Sequence, residues 1–220
     1  MGAGMAITAI DSHGPDQLIW ATDPSGQIQC RHAKQALPGD IPTGGRLIIG
    51  AGAALQLQLP GQVQSLPGKR PNLADLPIAD LHGAPAYILP ALGQSNPAAL
   101  LTEGALALWG LIAAHPDFDG VICLCTKAQT HFVQISAAEV ISITQAMTGQ
   151  MIHAFGAEQL DPNAPDVLDA AADTISRPQA LAQRLGSAQA AAQMGQISMA
   201  NRSARIAGAL IGADLAAARP

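Results

Sequence analysis

Aromatic residues are scarce in this sequence, since tryptophan, tyrosine and phenylalanine together make up 3% of its 220 residues. A core of this composition has to be built from alanine, leucine, isoleucine and valine, and a hydrophobic fraction of 49% is enough to bury one. Only 12% of the residues are charged, which excludes the charge-rich composition of disordered chains. The composition is therefore that of a globular protein.

Positive charge is also in short supply. The chain has 11 Lys and Arg against 16 Asp and Glu, which gives a formal net charge of -5. The densest basic cluster is the pair Lys69-Arg70. A nucleic-acid-binding surface needs several cations to neutralise phosphates, so the sequence predicts no nucleic-acid partner.

Cysteines are few and long apolar runs are missing. The three cysteines are Cys30, Cys123 and Cys125, and an odd number of this kind indicates a reducing compartment. We interpret Cys123 and Cys125 as small buried hydrophobic residues of a strand. No apolar run approaches the roughly 20 residues of a membrane span, and the N-terminus lacks the cationic region of a secretory signal. The expectation is a cytoplasmic protein with no membrane partner.

The first part of the chain is strand-rich. Alternating apolar residues predict a meander with strands at 6–10, 17–22 and 27–30, and the turns between them are predicted at 11–15 and 23–26. A buried strand is predicted at 46–50 and another at 86–89. The proline-rich stretch 59–85 shows no sustained period, so it is predicted to be irregular.

The second part begins with a predicted helix. Asn96-Pro97 has the form of a helix start, and the run to Ala114 is apolar on nearly all faces, which predicts a buried helix. A second meander is predicted at 121–125, 131–135 and 140–143. Helices are predicted near 150–155, 166–175, 177–186 and 198–218, and Gly208 and Gly212 on the last one put two small residues on one face. This order predicts an α/β protein with mixed sheets, and separate sheets for the two meanders.

Two common site patterns are weak or missing. Gly50-Ala-Gly52 after a strand has two glycines of a dinucleotide fingerprint, but the third glycine is absent, so close packing is the preferred interpretation. The six histidines are widely separated and have no cysteine at zinc-ligand spacing, which argues against structural zinc.

Several separated segments resemble one family of enzymes. They are Asp11-Ser-His-Gly14, Leu89-Pro-Ala-Leu92, Met147-Thr-Gly-Gln-Met151 and Ile206-Ala-Gly-Ala-Leu-Ile-Gly-Ala-Asp214. In this order they resemble segments of the 2-dehydro-3-deoxygalactonokinases, bacterial sugar-acid kinases of the actin-like ATPase superfamily. The resemblance implies actin-like (ribonuclease H-like) sugar-kinase lobes with mixed sheets and a truncated second lobe. On this basis we expect an N-terminal lobe at 1–95 and a C-terminal part at 96–220.

The resemblance also implies a reaction and a set of site residues. The reaction is the ATP-dependent phosphorylation of a 2-dehydro-3-deoxy sugar acid with Mg²⁺. Asp11 and Gly14 correspond to the nucleotide turn, with Asp11 as the Mg²⁺ ligand, and Thr148 with Gly149 corresponds to the substrate site. Lys127 and His131 are the first catalytic candidates. Each assignment has a structural alternative. An aspartate such as Asp11 commonly caps a turn, and Thr148-Gly149 is a common way to begin a helix. An isolated histidine such as His131 is commonly either hydrogen-bonded within the protein or exposed to solvent.

The sequence departs from the family at several functional positions. Where the family has Arg-Gly-Glu-Glu-Thr-Gln, this chain has Thr102-Glu-Gly-Ala-Leu-Ala107, and the glycine of the second phosphate turn is absent from Thr126–Phe132. Pro15 removes a backbone donor from the first turn, and the chain ends at Pro220. We therefore expect little kinase activity. The alternative is a catalytically silent relative that binds a sugar acid or a protein, and in either case the protein could form a homo-oligomer.

Overall fold

The structure is a computed structural model, and it describes residues 7–22, 25, 27–34, 45–158, 161 and 164–218. The strands in these ranges are β1 Ile7–His13, β2 Asp16–Thr22, β3 Ile28–Ala33, β4 Arg46–Ile49, β5 Val63–Ser65, β6 Gly68–Lys69, β7 Ile78–Leu81, β8 Ala84–Ile88, β9 Ala91–Ser95, β10 Ala98–Leu101, β11 Gly120–Cys125, β12 Thr130–Ser136 and β13 Glu139–Ala146. The α-helices are α1 Ala51–Gln56, α2 Ala105–Ala114, α3 Thr148–Ala154, α4 Pro165–Ser176, α5 Leu181–Gln193 and α6 Met199–Ala217.

The described residues form two compact units. The first contains the residues up to Thr126 together with His131–Gln145, and the second contains Lys127–Thr130 and the residues from Ala146 onward. The division of the protein into lobes at residue 95 stays a prediction.

The largest sheet of the first unit is built around three parallel strands. Its order is β3-β2-β1-β4-β8-β7, with β4 parallel to both β1 and β8 and the remaining pairs antiparallel. Ile10, Ile49 and Ile88 on these central strands are fully buried, and they pack with Ala53 of α1. The predicted first meander and the predicted strands near 46–50 and 86–89 are confirmed. The turn predicted at 23–26 lies mostly outside the described residues.

Two smaller sheets complete the first unit. One has the order β10-β9-β5 and the other β11-β12-β13-β6, so the predicted second meander is confirmed and lies in a different sheet from the first. Helix α2 contributes Leu108, Trp109 and Ile112 to a core that also contains Val133 and Ile143. The opposite face of α2 is open, with Leu111 41% exposed. The prediction that this helix is buried on nearly all faces is wrong.

The prediction that a helix begins at residue 96 is also wrong. The chain first makes a hairpin, β9 to β10, in which Leu92 pairs with Leu101, and α2 begins only at Ala105. An Asn-Pro pair is typical of a turn as well as of a helix start. The alternating burial of Ala99 and Leu101 is the two-residue period of a strand.

The stretch 59–85 was predicted to be irregular, and this is wrong too. It contains β5, β6, β7 and a short 3₁₀ turn at Leu73–Asp75. Its first two strands have only two or three residues and pair with distant parts of the chain, Val63 with Ala91 and Gly68 with Val140. No local period can reveal strands that depend on such remote partners.

The second unit is helical, as predicted. Helix α6 begins after Ser198, whose hydroxyl accepts a hydrogen bond from the Asn201 amide at 3.1 Å. Gly208 and Gly212 lie against α4, where added β-carbons would be 2.3 Å from the Val167 carbonyl oxygen and 2.4 Å from that of Ala171. The two small residues predicted to share one face of this helix therefore let α4 approach closely. The stretch between the predicted helices near 150–155 and 166–175 lies partly outside the described residues.

Candidate functional site

Asp11 lies inside strand β1, beside the end of the parallel strand β4. The turn predicted to begin at Asp11 starts later, because β1 continues to His13. The Gly50 amide donates to the Ile10 carbonyl at 2.7 Å, which extends the contact between the strands past the end of β4. A β-carbon at Gly50 would lie 2.4 Å from Asp11 Oδ1, so only glycine leaves room for the carboxylate.

The next pair of residues repeats this arrangement. A β-carbon at Gly52 would lie 1.9 Å from Ser12 Oγ. Ser12 is only 4% exposed, and its hydroxyl has no hydrogen-bond partner in the described part of the chain. The predicted close approach at Gly50 and Gly52 is therefore present, but the neighbours are polar side chains rather than backbone. The two glycines therefore lie against two buried oxygen-bearing side chains, those of Asp11 and Ser12.

The Asp11 carboxylate is buried, being 1% exposed. The side chain therefore does not face open solvent, as a metal ligand on a surface turn would. Burial raises its pKa to about 7, and the charge of Glu103 adds to this. Hydrogen bonds from the backbone of Ser12, Gly104 and Leu106 oppose the rise in pKa but do not cancel it. In the absence of a cation the carboxyl therefore titrates close to neutral pH.

Asp11 also accepts hydrogen bonds at the start of helix α2. Its Oδ2 accepts from the Gly104 amide at 3.2 Å, and its Oδ1 accepts from the Ser12 amide at 2.9 Å. Gly104 has a φ of 81°, a left-handed conformation that suits glycine at the beginning of this helix. The alternative that Asp11 has a capping role is therefore supported by its geometry, although the cap belongs to a distant helix and not only to its own turn.

Glu103 is a site residue that the sequence did not reveal. Its Oε2 accepts from the Gly14 amide at 3.5 Å, and its Cγ would be 3.3 Å from a β-carbon at Gly52. The predicted helix from 96 placed Glu103 in a helix interior. The actual break before Ala105 instead puts it in the loop beside Asp11. An acidic residue next to a glycine just before an apolar helix was the signal that could have found it.

Gly14 makes the turn between β1 and β2. Its φ is 61°, and its carbonyl oxygen accepts from Gln56 Nε2 at 2.7 Å. Its amide, the group expected to contact a phosphate, is occupied by Glu103. A phosphate that approached this amide would have to replace the Glu103 carboxylate.

The oxygen atoms around Asp11 suit a hard divalent cation. Mg²⁺ is typically held by one or two carboxylates together with substrate phosphates and waters, and Asp11, Glu103 and the unpartnered Ser12 hydroxyl provide such a donor set. A cation here would also favour the ionised form of the buried carboxyl. The described residues contain no cluster of three or more His, Cys, Asp or Glu side chains that could hold a metal by themselves.

The second unit contains the predicted substrate residues. Thr148 is buried at the start of α3, and its hydroxyl donates to Asp214 Oδ2 on α6. A β-carbon at Gly149 would lie 2.2 Å from the Lys127 carbonyl oxygen, and the Gln150 amide donates to Ala128 at 2.8 Å. The structure thus brings together Thr148, Gly149 and the Lys127 backbone, with the Thr148 hydroxyl occupied by Asp214.

His131 lies in the first unit, on β12, and is 1% exposed. Its Nε2 is 3.3 Å from the Leu100 carbonyl oxygen, whereas Nδ1 has no hydrogen-bond partner among the described residues. Burial lowers its pKa, partly opposed by the Leu100 hydrogen bond. His131 is therefore a buried histidine with one ring nitrogen satisfied, so the expectation of an exposed side chain does not hold.

The cysteines differ from their interpretation. Cys123 and Cys125 are exposed on β11, where Ile122 and Leu124 turn inward instead. Cys30 on β3 is exposed as well. The interpretation of Cys123 and Cys125 as small buried hydrophobic residues is wrong, because the strand alternates and the cysteines occupy its outer positions.

The mixed sheets and helices have the fold of the actin-like sugar kinases. One solved structure with this fold is that of a Sinorhizobium meliloti protein provisionally assigned as a 2-dehydro-3-deoxygalactonokinase. The two structures agree with a TM-score of 0.77 over 98% of this chain and 81% of the other, at 17% sequence identity. None of the described helices combines the length and the apolar character needed to cross a membrane.

The sequence itself identifies the family. The sequence pattern of the 2-keto-3-deoxy-galactonokinases matches residues 52–220, so the chain belongs to this family. The predicted resemblance is confirmed. No functionally curated protein matches the chain. Asp11 and Gly14 precede the matched residues, so their correspondence to the family depends on the fold.

Proposed function

We propose that this chain transfers the γ-phosphoryl group of ATP to a hydroxyl group of 2-dehydro-3-deoxygalactonate, slowly and with Mg²⁺. Membership of the 2-keto-3-deoxy-galactonokinase family supports the reaction class and the small sugar-acid substrate. The main structural support in this chain is the Asp11 carboxylate. It is buried against Gly50, and the oxygen atoms around it suit a hard cation.

Asp11 and Glu103 would hold the metal, with the Ser12 hydroxyl as a third oxygen. Bound Mg²⁺ would neutralise charge on the phosphate oxygens. The chain's own contribution is to keep Asp11 fixed through the Ser12 and Gly104 amides and to exclude water from it. The Gly14 amide is the proposed phosphate donor, provided that Glu103 moves from it to the cation.

Thr148 and Gly149 are the proposed contacts of the sugar acid. Their correspondence to the family and their position at the start of α3 support this assignment. The Thr148→Val variant should weaken binding of the sugar acid about tenfold, because it removes the oxygen that can accept from the ligand. Thr148→Ser should retain binding, because the serine hydroxyl can still donate to Asp214 and accept from the ligand. Lys127 and His131 are the proposed next positions to test for a catalytic contribution.

The proposed slow rate follows from the charges around Gly14. Losing one well-placed donor or cation from a site of this kind costs roughly 10²- to 10³-fold in rate. Here a carboxylate occupies the amide that would contact a phosphate. Purified protein, Mg-ATP and 2-dehydro-3-deoxygalactonate should therefore give measurable ADP and phosphorylated sugar acid that disappear in Asp11→Asn. Equal turnover in wild type and Asp11→Asn would contradict the proposal.

A second function is supported by the same contact. Glu103 accepts the hydrogen bond of the Gly14 amide, so this amide does not need a nucleotide phosphate as its partner. This contact supports a catalytically silent relative that binds the sugar acid without ATP. Calorimetric titration separates the two functions: heat with the sugar acid but none with Mg-ATP would favour the silent relative.

The proposed setting is the cytoplasm, where ATP is available and thiols stay reduced. The odd number of cysteines supports this setting. Association into homo-oligomers is a further proposal, and light scattering of the purified chain tests it.

A further inference from the structure

The two cysteines of β11 form a pair on an exposed strand. Cys123 and Cys125 are separated by one residue, so their side chains lie on the same face, and their Sγ atoms are 3.6 Å apart. Among the described strands, β11 is at one edge of its sheet and is next to β12 only. Both thiols are exposed, so a solute can reach them from solvent.

The spacing of the sulfur atoms suits one bound ion better than a disulfide. Two thiolates at about 2.3 Å from a tetrahedral ion lie about 3.8 Å apart, close to the separation seen here. A disulfide would need the sulfurs to approach to about 2.05 Å. Alternate residues of an extended strand are about 6.6 to 6.8 Å apart, at the upper limit for bridged cysteines. Metal binding therefore requires the smaller change in the strand.

We propose that Cys123 and Cys125 form a two-thiolate site for a soft divalent cation such as Cd²⁺ or Zn²⁺. On binding, each Sγ–H bond loses its proton to solvent as a sulfur–metal bond forms, so two protons leave for each ion and no electron is transferred. Water or a small external thiol completes the coordination, because the chain offers no third ligand of the His, Cys, Asp or Glu type nearby in its described part. This site is independent of the proposed kinase function.

Cd²⁺ binding to the full-length reduced chain tests the site, with the thiolate-to-cadmium absorption and proton release as readouts. The wild type should bind one Cd²⁺ per chain and release two protons. Replacing either Cys123 or Cys125 by serine should weaken binding about 100-fold or more, because the second contact is then no longer intramolecular. Cys30→Ser is the matched control, since Cys30 is also exposed on a strand, and it should bind as tightly as the wild type.

Three results would overturn this assignment. The first is unchanged Cd²⁺ affinity in Cys123→Ser or Cys125→Ser. The second is a doubling of the molar mass on Cd²⁺ addition, which would mean that the ion joins two chains. The third is the loss of two thiols to a disulfide in the presence of oxidised glutathione, combined with no Cd²⁺ affinity in the reduced chain. Circular dichroism of each variant confirms that it is folded.

Discussion

At the scale of single residues, Asp11 is held by hydrogen bonds that do not fully offset its burial. Three backbone amides stabilise the carboxylate, yet burial still raises its pKa to about 7. A buried carboxyl with a raised pKa is suited to bind a cation, because a nearby positive charge stabilises its ionised form. The residue thus combines a structural contact with α2 and the charge that the proposed reaction requires.

The raised pKa predicts how stability depends on pH. The folded state binds the Asp11 proton more tightly than the unfolded state, whose pKa is near 3.8. The contribution of Asp11 to stability is therefore complete below about pH 4 and is lost as the pH rises to about 7, by up to about 4 kcal/mol. Urea denaturation of the metal-free chain from pH 4 to 8 should show this decrease.

Two variants test the assignment of that decrease to Asp11. Asp11→Asn should flatten the pH profile, because the titrating group is gone. Asp169→Asn, at an exposed position on α4, should leave the profile unchanged. A wild-type profile that rises between pH 4 and 7, or one that Asp11→Asn does not alter, would show that the buried carboxyl is already ionised at low pH.

Glu103 predicts a loss of nucleotide binding when its charge is removed. Its carboxylate is a proposed Mg²⁺ ligand beside Asp11, so Glu103→Gln should weaken Mg-ATP binding by about five- to tenfold, as expected for the loss of one charged ligand. Calorimetric titration measures the change. Glu139→Gln is the control, because Glu139 pairs with Lys69 at 3.2 Å on the surface and should not affect binding. Tighter binding in Glu103→Gln would show that Glu103 acts mainly by occupying the Gly14 amide and not as a metal ligand.

Sequence identified some of these residues and missed others for a clear reason. Asp11 and Gly14 are three residues apart, on one strand and the turn that follows it, so a local motif could reveal them. Gly50 and Glu103 meet Asp11 only through the pairing of β1 with β4 and the position of α2. A misplaced helix start was enough to hide Glu103.

At the scale of elements, the contact between α4 and α6 depends on two glycines. Gly208→Ala would place a β-carbon 2.3 Å from the Val167 carbonyl oxygen, and the helices would have to separate. We expect the unfolding free energy to fall by about 1–3 kcal/mol. This is the reverse of the usual effect, because alanine normally stabilises a helix relative to glycine.

Gly186 on α5 provides the matched control for that prediction. A β-carbon at this position would have no neighbour within 4 Å. Gly186→Ala should therefore raise the unfolding free energy by about 0.5–1 kcal/mol through helix propensity alone. Thermal denaturation of both variants measures the two effects, and stabilisation by Gly208→Ala would contradict the close packing of α4 and α6.

The elements that sequence predicted correctly are those whose signal is local. The meanders 121–143 and 6–30 have alternating apolar residues, and α4 to α6 have helix-forming composition. The sequence missed β5 and β6, whose partners are distant, and the hairpin before α2, whose turn resembles a helix start. It also missed β7, although β7 pairs with the next strand β8. For β5 and β6, local pattern contains no information about the partners.

At the scale of the whole molecule, the proposed kinase should be slow. Kinases commonly turn over at about 1–100 s⁻¹, and we expect this chain to remain below about 1 s⁻¹ with 2-dehydro-3-deoxygalactonate. The altered stretches 102–107 and 126–132 and the carboxylate at Gly14 motivate this expectation. A coupled assay for ADP measures the rate. Turnover above that value would mean that other groups, first Lys127 and His131, replace the altered ones.

The pairing of β6 with β13 has a consequence for protein synthesis. Gly68 and Lys69 hydrogen-bond to Val140 and Glu139, so their partners are translated about 70 residues later. At roughly 5–20 residues per second, the ribosome needs about 4–14 s to make that segment. During this interval the nascent chain exposes an unpaired strand, while residues 127–130, which belong to the second unit, have already been added. The first unit therefore cannot complete this sheet before residues 139–140 have been synthesised.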